Sequence, residues 1–247
     1  MAVIADVHAN RAALEAVLEE IHTLSCDRIV CLGDTVGYHA EPIECVRMVR
    51  GAASAGVIGN HDWAAVRDEV QVGTNEHARR VMQWTAEVLP DDCRAYLQAL
   101  PACHVDDDGI VAAHGCYLNP AFHRGYVTAT MLERNLRTVA TNPAWPVVAL
   151  CGHTHIPMCG WLDGEGVTHD NLRAPVTWPA AASAVLVNPG SVGQPRDGDP
   201  RASFAVLDLE MRRVEVHRLA YDVEATIDAL DRAGFAKELG FRLREGR

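Results

Sequence analysis

Ala2-Val3-Ile4-Ala5-Asp6-Val7-His8 is an apolar run that ends in a carboxylate and an imidazole. Such a run predicts a short buried strand. Asp6 and His8 alternate with Val7, so a continuing strand would point both polar side chains to one side of the sheet. The pair would then offer a metal ion one oxygen and one nitrogen ligand.

Four further apolar runs end in the same way. Polar side chains follow each of them: Gly33-Asp34 after residues 28–32, Gly59-Asn60-His61-Asp62 after 56–58, His114 after 110–113, and Gly152-His153-Thr154-His155 after 147–151. Ligands of open α/β sheets bind at the carboxyl ends of the strands, so we expect these side chains to converge. The lone carboxylate of Asp34 has two oxygens and could bridge two cations.

Mixed imidazole and carboxylate ligands suit Mn, Fe, Co, Ni or Zn better than Ca or Mg, which prefer oxygen ligands alone. Two such ions about 3.5 to 4 Å apart can hold the attacking and leaving oxygens of an in-line displacement. Each string occurs by chance in other proteins, but their joint occurrence after five apolar runs predicts a two-metal site. The reaction predicted for that site is hydrolysis of a phosphoryl ester.

The motifs resemble those of a known family. They are Asp6-x-His8, Gly33-Asp34-x-x-Gly37, Gly59-Asn60-His61-Asp62, His114-Gly115 and Gly152-His153-x-His155. In this order they resemble the calcineurin-like metallophosphoesterase superfamily. The likeness extends to about Asn188-Pro189-Gly190-Ser191, and this string with residues 192–196 resembles the small bacterial and archaeal phosphodiesterase branch.

The resemblance implies a role for each polar residue. Metal one would be held by Asp6, His8 and His155, metal two by Asn60, His114 and His153, and Asp34 would bridge them. The implied cofactors are two divalent transition-metal ions, with manganese favoured, and a hydroxide between them would attack phosphorus. His61 would face the leaving group instead of binding a metal, and Asp62 would orient it.

The loop after Asp34 departs from the protein phosphatases and symmetrical diadenosine tetraphosphatases of this superfamily. Those enzymes continue into Asp-Arg-Gly and carry Glu after Asn-His, whereas this chain has Thr35-Val36-Gly37-Tyr38 and Asp62. The arginine that would bind a monoester phosphate is missing. We therefore predict hydrolysis of a small phosphodiester or nucleotide. A phosphomonoesterase, including a phosphoprotein phosphatase, and a non-catalytic scaffold are the alternatives.

Loop residues near the strand ends are predicted to contact substrate, because function concentrates on such loops. They are Asn10, Arg11, His123, Arg124, Asn188 and Ser191, and Tyr126 and Arg196 are further candidates. Asn188 and Ser191, with the backbone of Gly190, could cradle a phosphate, or the glycine could only permit a turn. Asn10 is also placed to cap a helix.

The order of the elements predicts an α/β fold. Strand-like and helical runs alternate in the first half, and strands dominate the second half, which suggests a second sheet with hairpins. We expect one domain over residues 1–247, a four-layer α/β-β-α sandwich with two facing mixed sheets. A helical insertion over about 63–100 would form a lid, or would pack Val81, Trp84 and Leu97 on the sheet edge.

Composition limits the partners. The 22 basic and 33 acidic residues give a net charge of −11, which disfavours capture of duplex nucleic acid but leaves short nucleotides possible. No leader segment or membrane span is visible, so no membrane partner is expected. Eight cysteines without a Cys-x-x-Cys pair indicate buried free thiols and a cytoplasmic location. The sequence does not indicate an oligomeric state.

Overall fold

Two mixed β-sheets form the centre of the protein. The computed structural model describes residues 1–67 and 76–247. Strands are numbered along the chain. In spatial order the first sheet contains β3 (Ala55–Gly56), β2 (Ile29–Cys31), β1 (Ala2–Ile4), β11 (Ala202–Asp208), β12 (Arg213–Leu219) and β9 (Val176–Thr177). The second contains β4 (Cys103–Val105), β5 (Ile110–Ala113), β6 (Val148–Leu150), β10 (Ala184–Asn188), β7 (Met158–Asp163) and β8 (Gly166–Asp170).

Helices cover the outer faces of both sheets. Those in the described part of the chain are α1 (Arg11–Thr23), α2 (Pro42–Ala52), α3 (Asn60–Arg67), α4 (Glu76–Val88), α5 (Asp91–Ala99), α6 (Ala129–Thr141), α7 (Val223–Arg232) and α8 (Glu238–Phe241), followed by a 3-10 turn at Arg242–Glu245. None of the helices described is long and apolar enough to cross a membrane.

The predicted buried strands are the parallel ones. Strand β1 pairs in parallel with β2, which pairs in parallel with β3, and β6 pairs in parallel with both β5 and β10. Parallel strands are covered on both faces, which explains their uninterrupted apolar sequences. Their carboxyl ends meet at one edge of each sheet, and the polar motifs follow at that edge.

Three hydrophobic layers hold the sandwich together. Between the sheets, Val3 and Val30 of the first pack with Val148 and Val185 of the second. On the outer face of the first sheet, α1 and α2 pack residues such as Leu14 against the sheet, and α6 covers the second sheet through Leu132, Leu136 and Val139. The order helix, sheet, sheet, helix confirms the predicted α/β-β-α sandwich.

The prediction that the back half forms the second sheet is wrong for its last hairpin. Strands β11 and β12 join the first sheet, where β11 pairs antiparallel with β1 at Ala2↔Val206. The second sheet takes β4, β5 and β6 from the middle of the chain. Period-2 patterning indicates that a segment is a strand, but it does not indicate which sheet edge the strand joins.

The predicted helices of the insertion are present as α4 and α5, whereas residues 68–75 lie outside the described residues. Leu97 is fully buried in a cluster with Val46 of α2, and Val81 is fully buried against Leu230 of α7. These two side chains therefore pack on other helices, while Leu100 at the end of the insertion lies beside Gly56 of the edge strand β3, and a lid stays a prediction. The insertion also reaches the polar motifs, because Met82 Sδ lies 3.2 Å from His61 Nδ1.

Candidate metal centre

The first polar loop leaves its strand earlier than predicted. Strand β1 ends at Ile4, and Asp6 and His8 have φ values of 55° and 51°. The expectation that both continue a strand is therefore wrong, because each lies in the left-handed region. Backbone hydrogen bonds hold the loop instead, from Asp6 N to Gly33 O at 3.0 Å and from His8 N to Asp34 O at 2.9 Å.

Positive φ values recur among the predicted ligands. They are found at Asp6, His8, Asp34, His153 and His155, all between 51° and 67°. This conformation costs a non-glycine residue about 1 to 2 kcal/mol, so it persists only where the surrounding structure imposes it. Such concentrated backbone strain is typical of functional sites.

The first ligand group consists of Asp6, His8 and His155, which are all buried. His8 Nε2 lies 3.1 Å from His155 Nε2, and His155 Nε2 lies 3.5 Å from Asp6 Oδ1. Nitrogens bound about 2.1 Å from one ion at tetrahedral or octahedral angles lie about 3.0 to 3.4 Å apart. The spacing of the two imidazoles fits a shared cation.

The second group consists of Asp34, His114 and His153, with Asn60 beside them. His114 Nε2 lies 3.1 Å from His153 Nδ1 and 3.1 Å from Asn60 Oδ1. The buried Nε2 of His153 has no hydrogen-bond partner among the described residues. This set offers two nitrogens, an amide oxygen and a carboxylate, which fits a borderline divalent metal.

Asp34 joins the two groups through one atom. Its Oδ2 lies 3.8 Å from His8 Nε2 and 3.3 Å from His114 Nε2, while its Oδ1 accepts a hydrogen bond from His61 N at 2.8 Å. The loop that carries Asp34 packs closely against the loop that carries Gly59, and this packing requires glycine in both loops. A Cβ on Gly33, whose φ is 87°, would lie 2.5 Å from Gly59 N, and a Cβ on Gly59 would overlap Asp34.

Backbone carbonyl groups fix the ring orientation of three histidines on the side of the ring that faces away from the site. In each, Nδ1 faces a backbone carbonyl oxygen: His8 and Val36 at 3.2 Å, His114 and Leu32 at 2.8 Å, and His155 and Gln194 at 2.6 Å. A carbonyl only accepts, so Nδ1 carries the proton and Nε2 is the atom presented to the site. Metal-ligating histidines have this arrangement.

Burial and charge set the protonation of the ligands in the metal-free chain. Burial raises the pKa of Asp6 to about 7 and lowers the pKa of His153 to about 3. Burial also opposes the charged forms of His114 and Asp34, but their mutual attraction prevails. It raises the pKa of His114 to about 9 and holds the pKa of Asp34 well below its usual range.

His61 and Asp62 lie in the first turn of α3, beside the two ligand groups. Asp62 does not orient the His61 ring as expected, because its oxygens accept hydrogen bonds from Val36 N and Gly59 N, both at 3.1 Å. It thus ties together the loops that carry Asp34 and Asn60. His61 is itself close enough to His8 and Asp34 to complete a third possible ligand group.

Three predicted substrate contacts are occupied by internal hydrogen bonds. Asn10 caps α1 through Ala13 N and donates to Gly193 O at 2.8 Å. Asn188 donates to Gly152 O at 2.8 Å, and the Ser191 hydroxyl donates to Asp6 O at 2.8 Å. All three side chains are fully buried. These contacts favour a positioning role over the predicted substrate contact, because hydrogen bonds within the fold already satisfy their polar atoms.

The other predicted contacts differ in their surroundings. Arg11 lies on the exposed face of α1, where its Nε donates to Glu15 at 2.7 Å, so it does not reach the ligands. His123 lies nearer, with its ring 5.2 Å from that of Trp63. Its neighbour Arg124 contributes a positive charge that acts on His61, although burial is the main influence on that histidine's pKa.

Two aromatic residues lie at the site, and of these Tyr38 was not among the predicted site residues. The ring of Tyr38 lies 4.7 Å from those of both His8 and His61, and Tyr126 stacks on His153 at 4.1 Å. Position in the loops was the available signal, since Tyr38 directly follows Gly37 and Tyr126 lies two residues after Arg124. Neither has a spacing that distinguishes it from an ordinary loop aromatic.

Comparisons with known proteins identify the family and the fold of the chain. The family model described as the calcineurin-like phosphoesterase superfamily domain matches residues 1–212. An uncharacterized protein of Methanocaldococcus jannaschii is 30% identical over 250 residues, covering 100% of this chain and 98% of that protein. A symmetrical bis(5'-nucleosyl)-tetraphosphatase of Pectobacterium carotovorum is 26% identical over 148 residues, covering 58% of this chain and 52% of that enzyme. The crystal structure of a metallophosphoesterase from Sphaerobacter thermophilus superposes with a TM-score of 0.84 at 35% identity, covering 100% and 98% of the two chains.

Proposed function

The chain belongs to the calcineurin-like phosphoesterase superfamily, and we propose that it is a binuclear phosphodiesterase that hydrolyses a small phosphodiester or nucleotide. Membership makes it a metal-dependent phosphoester hydrolase. One observation supports the binuclear form: Oδ2 of Asp34 lies between His8 of one ligand group and His114 of the other. A carboxylate in this position can bridge two cations.

We assign metal one to Asp6, His8 and His155, metal two to Asn60, His114 and His153, and the bridge to Asp34. The mixed nitrogen and oxygen donors suit Mn, Fe, Co, Ni or Zn, and among these we favour manganese because the family resemblance implies it. Divalent ions at these positions supply Lewis acidity toward the phosphoryl oxygens and a nucleophile near neutral pH. The side chains around these positions would assist the leaving group and hold the ligands in place.

His61 is the residue that would assist the leaving group. Its ring is buried at the edge of the ligand cluster, 4.8 Å from the ring of His8, and its backbone N–H is held by Asp34. Burial lowers the pKa of His61, so at pH 7 the neutral ring predominates and one ring N–H remains as a donor. It would donate a proton or a hydrogen bond to the departing oxygen, while Asp62 holds the loops that carry the ligands.

Aromatic side chains support a nucleotide or another aromatic ester. Tyr126 is 49% exposed while its ring stacks on His153, and Trp63 lies beside His123. An exposed ring such as that of Tyr126 beside a phosphate site can stack on a nucleobase. The name of the partial relative from Pectobacterium, a bis(5'-nucleosyl)-tetraphosphatase, also points to nucleotides.

The proposal also includes the partners and the cellular location of the enzyme. The net charge of −11 disfavours binding of duplex nucleic acid, so we expect a small substrate and no membrane partner. We also propose a cytoplasmic location, because the eight cysteines are free thiols and most are buried.

A substrate panel tests this function. The metal-free protein is loaded with Mn²⁺ and assayed with an aryl phosphodiester, the matching monoester, a dinucleoside polyphosphate and supercoiled duplex DNA. We expect turnover of the aryl diester above that of the monoester and negligible nicking of DNA. Monoester turnover in excess would favour a phosphomonoesterase. Absence of bound metal together with absence of all turnover would favour a non-catalytic scaffold.

A further inference from the structure

Arg196 lies on the loop after β10, directly beside the metal-one residues. Its backbone N–H donates to His155 O at 3.3 Å. Its guanidinium donates to Gln194 Oε1 at 2.9 Å and to the Tyr38 hydroxyl at 3.4 Å. The Arg196 side chain is thus fixed to the rim of the metal centre from two sides.

Tyr38 connects this guanidinium to the reaction site. Its ring lies 4.7 Å from the rings of His8, a metal-one residue, and His61, the proposed leaving-group residue. Arg196 lies over the same ring, 5.7 Å from its centroid. Burial is the main cause of the lowered pKa of His61, and the charge of Arg196 adds to it. The guanidinium is therefore within electrostatic reach of the reacting groups.

Arg196 lacks the partner that a half-buried guanidinium usually has. Among residues 1–67 and 76–247, no carboxylate lies within ion-pair distance of it, and its buried Nε has no hydrogen-bond acceptor in the same residues. Arg242 is a second cation beside it, since burial and the charge of Arg196 lower the pKa of Arg242, and the carboxylate on which the charge of Arg196 acts is Asp6, a proposed metal-one ligand. A guanidinium that lacks a direct ion pair is costly to bury. A bound anion would complete the site.

We propose that Arg196 binds a charged non-bridging phosphoryl oxygen of the substrate and that Tyr38 positions it. This inference rests on the proposed function and assigns a substrate-binding residue to it. A guanidinium suits the task because its N–H groups can bind two phosphate oxygens in parallel.

The test compares four variants loaded with Mn²⁺. Arg196→Gln removes the charge, Arg196→Lys keeps the charge without the planar fork, and Tyr38→Phe removes only the hydroxyl. Arg173→Gln is the matched control, because Arg173 is exposed and lies on another loop. Measurements are kcat/KM for an aryl phosphodiester and the matching monoester, the inhibition constant of inorganic phosphate, bound metal and Tm.

We expect Arg196→Gln to keep its metal and Tm while kcat/KM for the monoester falls about 10- to 100-fold, the value of a charge-assisted hydrogen bond. The diester should lose less, since it carries one charge instead of two. The inhibition constant of phosphate should rise in parallel. Arg196→Lys should recover part of the loss, Tyr38→Phe should lose only a few-fold, and the control should match the wild type.

Wild-type kcat/KM and phosphate inhibition in Arg196→Gln would overturn the inference while leaving the proposed function intact. A loss fully explained by missing metal, with normal values after metal is restored, would also overturn it. If the wild-type enzyme cleaves neither ester, the proposed function fails. Calorimetry with inorganic phosphate then decides on Arg196: weaker binding by Arg196→Gln than by wild type supports the anion site, and equal binding refutes it.

Discussion

Asp34 Oδ2 lies 3.3 Å from Nε2 of His114, at the point where the two proposed metal sites meet. Although burial opposes it, this contact raises the pKa of His114 to about 9 in the metal-free chain. His114 therefore holds a proton at pH 7 on the nitrogen that a metal must occupy. Proton and metal compete for the same atom.

Metal binding should consequently release protons. A ligand whose pKa is about 9 is protonated below that pH, so affinity for metal two should weaken about tenfold per pH unit as pH falls from 9 toward 6. Calorimetric titration with Mn²⁺ in two buffers of different ionisation enthalpy measures the release. We expect about one proton or more per chain at pH 7. A heat of binding that is independent of the buffer would show that His114 is unprotonated and the pKa argument wrong.

His61 should affect turnover without affecting metal content. His61→Asn should keep both ions, and turnover should fall by about 10² to 10⁴, the range for loss of a general acid. The deficit should shrink for esters with acidic leaving groups, because those need no proton. His22→Asn, on the exposed end of α1, is the control. If His61→Asn binds one ion fewer, His61 is a ligand, as its distance to His8 and Asp34 permits.

The two sites should be separable by mutation. His155 belongs to the first ligand group and His153 to the second, although only Thr154 separates them in sequence. His155→Ala and His153→Ala should each lower the tight metal content from two ions to about one, because each retains one complete group. Metal analysis after extensive dialysis gives the count. Loss of both ions in both variants would indicate one cooperative site instead.

Asn188 and Ser191 should act on metal affinity and not on substrate binding. The Ser191 hydroxyl donates to Asp6 O, so Ser191→Ala should weaken metal-one affinity by about tenfold, near the low end for partners that support a ligand. KM at saturating metal should stay unchanged. Ser54→Ala removes a comparable bond to Ile29 O away from the centre and serves as the control. A raised KM with normal metal affinity would restore the predicted substrate contact.

The sequence predicted the strand ends well for a physical reason. Parallel strands are apolar on both faces, so the change to Asp34 or His114 marks the carboxyl end of a strand directly. The sequence could not indicate that β11 joins β1, because the pairing of strands that are far apart in the chain depends on which sheet edge is free in the folded protein. It also misassigned Asp62. A carboxylate next to a histidine suggests a pair, but the fold points its oxygens to Val36 N and Gly59 N instead.

The predicted substrate contacts could not be judged from the sequence for a similar reason. A polar residue in a loop looks the same in sequence whether it faces substrate or the loop's own backbone. Asn10 and Asn188 are fully buried and bond inward, which only the folded chain reveals. Arg196 shows the converse, because its unpaired Nε is visible only once its neighbours are in place.

Titration of the metal-free chain with Mn²⁺, for the wild type and for Asp34→Asn, tests the binuclear centre most directly. We predict about two ions per wild-type chain and loss of both tight sites in Asp34→Asn, because a neutral amide cannot replace a bridging carboxylate. Asp228→Asn makes the same change on the exposed face of α7 and should bind two ions normally. Two ions bound with wild-type affinity by Asp34→Asn, or a single ion bound by the wild type, would contradict a centre bridged by Asp34.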